Sequence, residues 1–423
     1  MTTDPDAVAT TLGTPLRLPN GQVLPNRIMK SALSEGLATS ELLPGDRLTR
    51  LYRQWSDGGY GLVVTGNVMV DRRHLGEPGN VVLEAGTELE GFRTWAKTTQ
   101  DGGSPVWMQL NHPGRQANPI ASGSQPVAPT AKALAIAGLP APRALTDDEI
   151  HEIVDRFAVT AARADDAGFD GVQLHGAHGY LISQFLSPIS NERTDGWGGD
   201  IAGRMRFVLE VLRAVRAAVR PGFGVGIKLN SADFQRGGFT EDDSRAVVAA
   251  IVEHDVDLIE ISGGSYESPA MMGRPQAAST RRREAYFLDY AETVREIAGA
   301  VPLAVTGGFR TRTAMLDAVS AGVCDVVGIG RPAAIAPRAA QSMIDGTAAA
   351  LPAKDLRLPL PRRLATSPAA RSLEGALDLQ WHTDQLHRMG DGHDPDMQRS
   401  IGRTVITTVR RNGFDALRGR RRG

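Results

Sequence analysis

The sequence predicts a parallel eight-stranded (β/α)8 barrel. Eight short apolar or β-rich segments recur along the chain, and most are separated by apolar residues at helical spacing. Residues able to do chemistry gather at the C-terminal ends of those segments, the face on which such barrels carry their sites. A doubly wound sheet is the alternative, but no Gly-x-Gly-x-x-Gly follows the first segment.

The strand segments are Arg27–Leu33, Gly61–Val68, Val106–Leu110, Asp170–Leu174, Phe223–Leu229, Val256–Ile261, Pro302–Val305 and Cys324–Ile329. Thr146-Asp147-Asp148-Glu149 opens a helix as a capping box, and Gly168 ends it. Arg204 to Arg220 carries apolar residues at helical spacing and stops at Pro221-Gly222. Thr240-Glu241-Asp242-Asp243 starts another helix, and Leu288 to Ala298 and Thr311 to Ala321 add two more.

Leu16 to Leu24 alternates around Asn20-Gly21, a hairpin placed to plug the bottom of the barrel. Residues 112–145 and 265–287 form long excursions after the third and sixth strands and would rise beside the site. Residues 1–350 are assigned to the barrel, and 351–423 to a partly helical extension with an Arg-rich end. His382, His387 and His393 in that extension read as solvated helix and loop residues.

Composition narrows the function. The chain has 423 residues and a formal net charge of −1, which gives no electrostatic case for nucleic acid. No stretch reaches transmembrane length, and the acidic start lacks the features of a signal peptide, so a cytoplasmic location is expected. The single cysteine, Cys324, excludes an intrachain disulfide and an iron–sulfur cluster held by several cysteines of this chain.

The most informative stretch is His175-Gly176-Ala177-His178-Gly179-Tyr180, at the end of the fourth strand segment. Imidazole N–H groups can hold an oxyanion, and a phenol can deliver a proton. The other reading is a turn with incidental polar residues. A metal site would need further ligands, and no second Cys/His pair stands at a neighbouring strand end, so none is expected. Gln109 ends the third segment; it is either a satisfied core amide or a reader of a heterocycle edge. Lys228 ends the fifth, either as a paired structural cation or as a cation facing an anionic cofactor. Gly307-Gly308 and Gly330-Arg331 follow the last two strands, where this fold commonly holds phosphate. A plain strand-to-helix turn is the alternative for the first pair.

These residues resemble the Old Yellow Enzyme family of FMN-dependent NAD(P)H oxidoreductases across roughly residues 14–350. The resemblance rests on Asn26-Arg27-Ile28, on Gln109-Leu110-Asn111-His112-Pro113-Gly114-Arg115 and on His175 to Leu181. Asn191 to Gly199, Thr306-Gly307-Gly308 and Gly328-Ile329-Gly330-Arg331-Pro332 add to it. It implies non-covalent FMN, NADH or NADPH as co-substrate, and an α,β-unsaturated carbonyl or nitro compound as substrate. It implies that His175 and His178 bind the substrate oxygen and that Tyr180 donates a proton. It further implies that Gln109 contacts the flavin pyrimidine and that Gly307, Gly308, Gly330 and Arg331 hold the phosphate. Backbone at Ser31, Ala32 and Leu33 would line the isoalloxazine, with Ser34 at a tuning position and Asn67 near the ring. Lys228 stands where the family usually has Arg, which keeps the charge but not the fork. No nucleic-acid or membrane partner is expected, and a homo-oligomer is compatible with the chain.

Overall fold

The computed structural model describes residues 11–134, 140–263, 287–354, 356 and 368–411. Eight parallel strands form the barrel: β1 Ile28–Lys30, β2 Leu62–Met69, β3 Val106–Asn111, β4 Gly171–Gly176, β5 Gly224–Asn230, β6 Leu258–Ser262, β7 Leu303–Thr306 and β8 Val326–Ile329. β8 pairs with β1 through Val327 and Ile28, and β1 pairs with β2 through Met29 and Leu62, so the sheet closes. Each strand is buried on both faces except at the tip of β7, as expected of a parallel sheet jacketed by helices.

The jacket comprises α1 Asp46–Ser56, α2 Glu90–Gln100, α3 Asp147–Asp166, α4 Ile201–Ala218, α5 Glu241–Ile251, α6 Leu288–Ala298, α7 Arg312–Ser320 and α8 Ala339–Asp345. The expected capping boxes form at Thr146 with Glu149 and at Thr240 with Asp243. Thr311 caps α7 by accepting from the Ala314 N–H. None of the helices among the described residues is long and apolar enough to cross a membrane.

The expected hairpin pairs Leu16–Arg17 with Val23–Leu24. Its Leu18 and Leu24 pack with Met29, Leu62, Trp107 and Val326, forming an apolar plug separate from the main core. A β-carbon at Gly224 would land on the Trp107 indole, so only glycine fits there. Above this floor β2 carries an irregularity between Val64 and Asn67. Glu35, in the loop after β1, fills the space: its Oε1 accepts the Gly66 N–H at 3.0 Å. A bulge of this kind re-aims the following side chain; here that is Asn67, which pairs across to Gln109.

The extension contributes α9 Pro368–Gly390 and α10 Ile401–Val409. α9 lies against α1, where Arg50 donates to the Gly390 carbonyl at 2.5 Å and Gln54 to that of Met389 at 3.2 Å. The expectation for its histidines needs correction: His382 and His387 are buried, and only His393 is exposed. Each has a partner that permits burial. His382 Nδ1 lies 2.8 Å from the Asp378 carbonyl, and His387 Nε2 lies 2.9 Å from that of Glu35.

Candidate active site

The fourth strand runs through His175 to Gly176, so His175 belongs to the strand rather than to the turn after it. Its Nδ1 accepts the Ala177 N–H at 3.3 Å. That leaves the ring proton on Nε2, as a donor. His178 follows in the left-handed region with φ +60°, beside Gly179 at +76°. A non-glycine residue held there carries strain that the surroundings must offset. The Asn230 side chain accepts the His178 backbone N–H at 3.2 Å, and Ser262 Oγ sits 2.9 Å from its Nε2.

The three groups converge. The rings of His175 and His178 are 5.1 Å apart at 80°, and those of His175 and Tyr180 are 4.7 Å apart at 68°. Asn67 Nδ2 stands 3.5 Å from the Tyr180 hydroxyl. Burial holds the pKa of both imidazoles well below the usual histidine range, reinforced at His175 by His178 and at both by Lys228. Both rings are therefore neutral donors near pH 7.

Beneath them a buried polar chain crosses the barrel. Gln109 Nε2 donates to Gln173 Oε1 at 2.7 Å, and Gln173 Nε2 donates to Glu260 Oε2 at 2.7 Å. Glu260 Oε1 lies 3.0 Å from Lys228 Nζ. Lys228 and Glu260 are register partners on β5 and β6, as Gln109 and Gln173 are on β3 and β4. The chain orients the Gln109 amide and gives Lys228 its counter-charge. Glu260→Gln would leave that lysine buried without compensation. A loss of about 3–5 kcal/mol is expected, measurable as a lower midpoint in urea unfolding; an unchanged midpoint would mean the pair contributes nothing.

The remaining expected residues lie around the same mouth. Ser31 Oγ is 2.7 Å from Thr306 Oγ1, and the Ser31 N–H donates to the Ile329 carbonyl at 3.0 Å, tying β1 to β7 and β8. Ala32 and Leu33 continue that loop, both half-buried. Ser34 donates to the half-buried Glu77, whose pKa is raised by desolvation. Gly307 and Gly308 follow β7 with φ +131° and +90°, backbone that favours glycine. Gly330 precedes a 3₁₀ turn, Arg331–Ala334. The Arg331 guanidinium reaches Asp378 of α9 at 2.7 Å. Of the long excursion after β6, 264–286 lies outside the described residues. Phe287 at its end is buried and would abut a β-carbon at Gly307.

Sequence reasoning missed Gln173, Glu260, Asn230 and Ser262. A signal existed for the first two: each is a polar residue with apolar neighbours on both sides inside a strand segment. It missed, too, the buried set of Lys30, Glu35 and Tyr52 behind β1. Lys30 Nζ donates to the Val64 carbonyl at 2.9 Å and lies 3.9 Å from Glu35, and burial lowers its pKa to about 8.

Asp71, His74 and His112 bring three ligand-capable atoms within 4.8 Å of one another, a grouping not anticipated. Its chemistry disfavours a cation. Arg73 clasps both oxygens of Asp71 at 2.7–3.0 Å. His112 Nδ1 accepts the Gly114 N–H at 3.1 Å, which puts the ring proton on Nε2.

Known proteins resemble this chain in sequence and in fold. The chain is 39% identical over 347 residues to the NADH-dependent flavin oxidoreductase iliE of Hypocrea jecorina, covering 76% of this chain and 86% of that one. The structure of an old yellow enzyme homologue from Zymomonas mobilis superposes with a TM-score of 0.70 at 25% identity, over 82% of this chain and 95% of the other. A 2-naphthoyl-CoA reductase complex superposes with a TM-score of 0.75 at 25% identity, over 80% and 53%. Residues 11–347 match the model of the NADH:flavin oxidoreductase / NADH oxidase family. The barrel, its buried polar mouth and these likenesses together place the chain in that family, the Old Yellow Enzymes, as an NADH-dependent flavin oxidoreductase that uses FMN.

Proposed function

We propose that the protein reduces electron-poor alkenes (enones, enals and nitroalkenes), with Tyr180 as the proton donor. The observation that carries this reading is the convergence of His175, His178 and Tyr180 on one side of the mouth. The residues suit FMN. Asn67 Oδ1 is buried without a hydrogen-bond partner among the described residues and can accept from a heterocycle. The positive-φ glycines after β7 and the backbone after β8 can approach phosphate closely. Ser31, Ala32, Leu33 and Gln109 would hold the ring, and Ser34 would act on it through its link to Glu77.

FMN, when bound, would supply the hydride-transfer chemistry between NADH or NADPH and the β-carbon of the alkene. The chain's own groups do the rest. His175 Nε2–H and the His178 ring donate to the substrate carbonyl or nitro oxygen, stabilising the charge that builds there. The Tyr180 hydroxyl gives its proton to the α-carbon and regains one from solvent. Asn67 Nδ2 lies where it can donate to the phenolate left behind. Lys228 would place a positive charge beside the bound ring, and Glu260, 3.0 Å from its Nζ, would set how much of that charge is felt. The reaction needs one copy of the site, and assembly into a homo-oligomer is compatible with it.

Product analysis tests the reading. NADH and an enone should yield the saturated ketone, with one NADH consumed for each ketone formed. NADH consumption by oxygen alone, with the enone recovered unchanged, would contradict it.

A further inference from the structure

The extension builds a second feature on the rim of the barrel. A cavity of about 630 Å³ lies between α9, α10 and the start of α1. Five arginines line it, Arg47, Arg388, Arg399, Arg410 and Arg411, against two aspartates, Asp384 and Asp391. The aspartates are already taken: Arg47 Nε pairs with Asp391 at 2.6 Å, and Arg399 pairs with Asp384. The other three guanidiniums are under-used. Arg411 approaches Asp384 only at 3.7 Å, and its Nη2 is buried without a hydrogen bond among the described residues. Arg388 donates to the Asp394 carbonyl at 3.0 Å, while its Nε is buried with no hydrogen-bond partner among the described residues. The Arg410 guanidinium has no hydrogen bond or ion pair among the described residues and is exposed.

We propose that this groove binds the phosphorylated adenosine end of a co-substrate. A phosphomonoester carries close to two negative charges near neutrality and accepts guanidinium forks bidentately. The cavity is larger than a bare phosphate needs and within the range of small-molecule sites, leaving room for a nucleoside. The groove also belongs to the same rim as the mouth. His387, on its lining, lies 2.9 Å from the Glu35 carbonyl; the Glu35 carboxylate accepts from Gly66, next to Asn67, which reaches Tyr180. The groove therefore stands beside the loop that follows β1, at the end of the barrel that carries the mouth. Two co-substrates share this chemistry: NADPH, with a phosphate on the adenosine ribose, and a coenzyme A thioester, with one on the neighbouring ribose oxygen. The proposal rests on the reductase reading for its second partner but not for its binding event.

The test is calorimetric titration of the FMN-loaded enzyme without turnover. The probes are adenosine 2′,5′-bisphosphate, adenosine 3′,5′-bisphosphate and 5′-AMP. At least one bisphosphate should bind about tenfold or more tightly than AMP, the scale of one charge-assisted contact set. Arg388→Gln with Arg411→Gln should remove that advantage while FMN content and melting temperature stay near wild type. Arg410→Glu, at an exposed side chain with no partner among the described residues, should weaken bisphosphate binding in the same direction. A raised KM for NADPH with that for NADH unchanged identifies the dinucleotide. A raised KM for an unsaturated acyl-CoA, with that for a simple enone unchanged, identifies the thioester. Bisphosphates binding no tighter than AMP, variants binding as wild type, or neither KM moving would overturn the proposal. Alkene reduction could fail with this titration succeeding, or the reverse, so the two readings fall separately.

Discussion

Tyr180→Phe is expected to slow enone reduction by about 10²-fold or more, the loss typical of a positioned general acid. Flavin reduction by NADH should stay within a few-fold of wild type, because no proton is delivered to an alkene carbon in that step. The substitution keeps the ring, which packs against His175 at 4.7 Å, and removes only the hydroxyl that Asn67 reaches. A nitroalkene should suffer less, since its nitronate can leave and be protonated by water. Stopped-flow measurement of each half-reaction separates the cases. Equal slowing of both would make Tyr180 a packing residue of the mouth.

Replacing His175 and His178 together with alanine should cost more in alkene reduction. Removal of a single oxyanion donor typically costs about 10²–10³-fold, and this variant removes two. Phenols offer a readout without turnover. Bound to oxidised enzyme they should give a long-wavelength charge-transfer band, because the two imidazoles stabilise a phenolate; the double variant should lose the band and keep FMN. Both rings are held neutral by burial, each with its pKa displaced downward. Lowering the pH through the ordinary histidine range should therefore protonate neither ring, and no imidazole step should enter the rate there. An unchanged phenol titration in the double variant would refute their role.

The barrel was legible because its helices announce themselves locally. Capping boxes at Thr146 and Thr240 and the span Leu288–Ala298 need only neighbouring residues to form. The strands β2 to β7 were each read one or two residues too short at the end that matters, whereas β1 was carried past Lys30 to Leu33 and β8 was ended correctly at Ile329. Gln109, His175 and Lys228 all have strand residues beyond them, because β3, β4 and β5 run on to Asn111, Gly176 and Asn230. A reading that follows apolar residues stops where a mouth begins to bury polar ones. The same cause hid Gln173 and Glu260, whose burial is tolerated only because partners on neighbouring strands satisfy them. The extension was hardest to read: α9 turns Asp378, His382, Asp384 and His387 inward, each toward a partner far off in sequence or on its own turn. Polar residues on an inward face erase the helical periodicity that would have revealed burial.

Anaerobic mixing tests the central claim most directly. Enzyme carrying its flavin is titrated with NADH until the yellow colour is lost, and an enone is then added without oxygen. The account predicts full recovery of the oxidised spectrum, with saturated ketone formed in amounts equal to the flavin. Bleaching that only oxygen can reverse would contradict it.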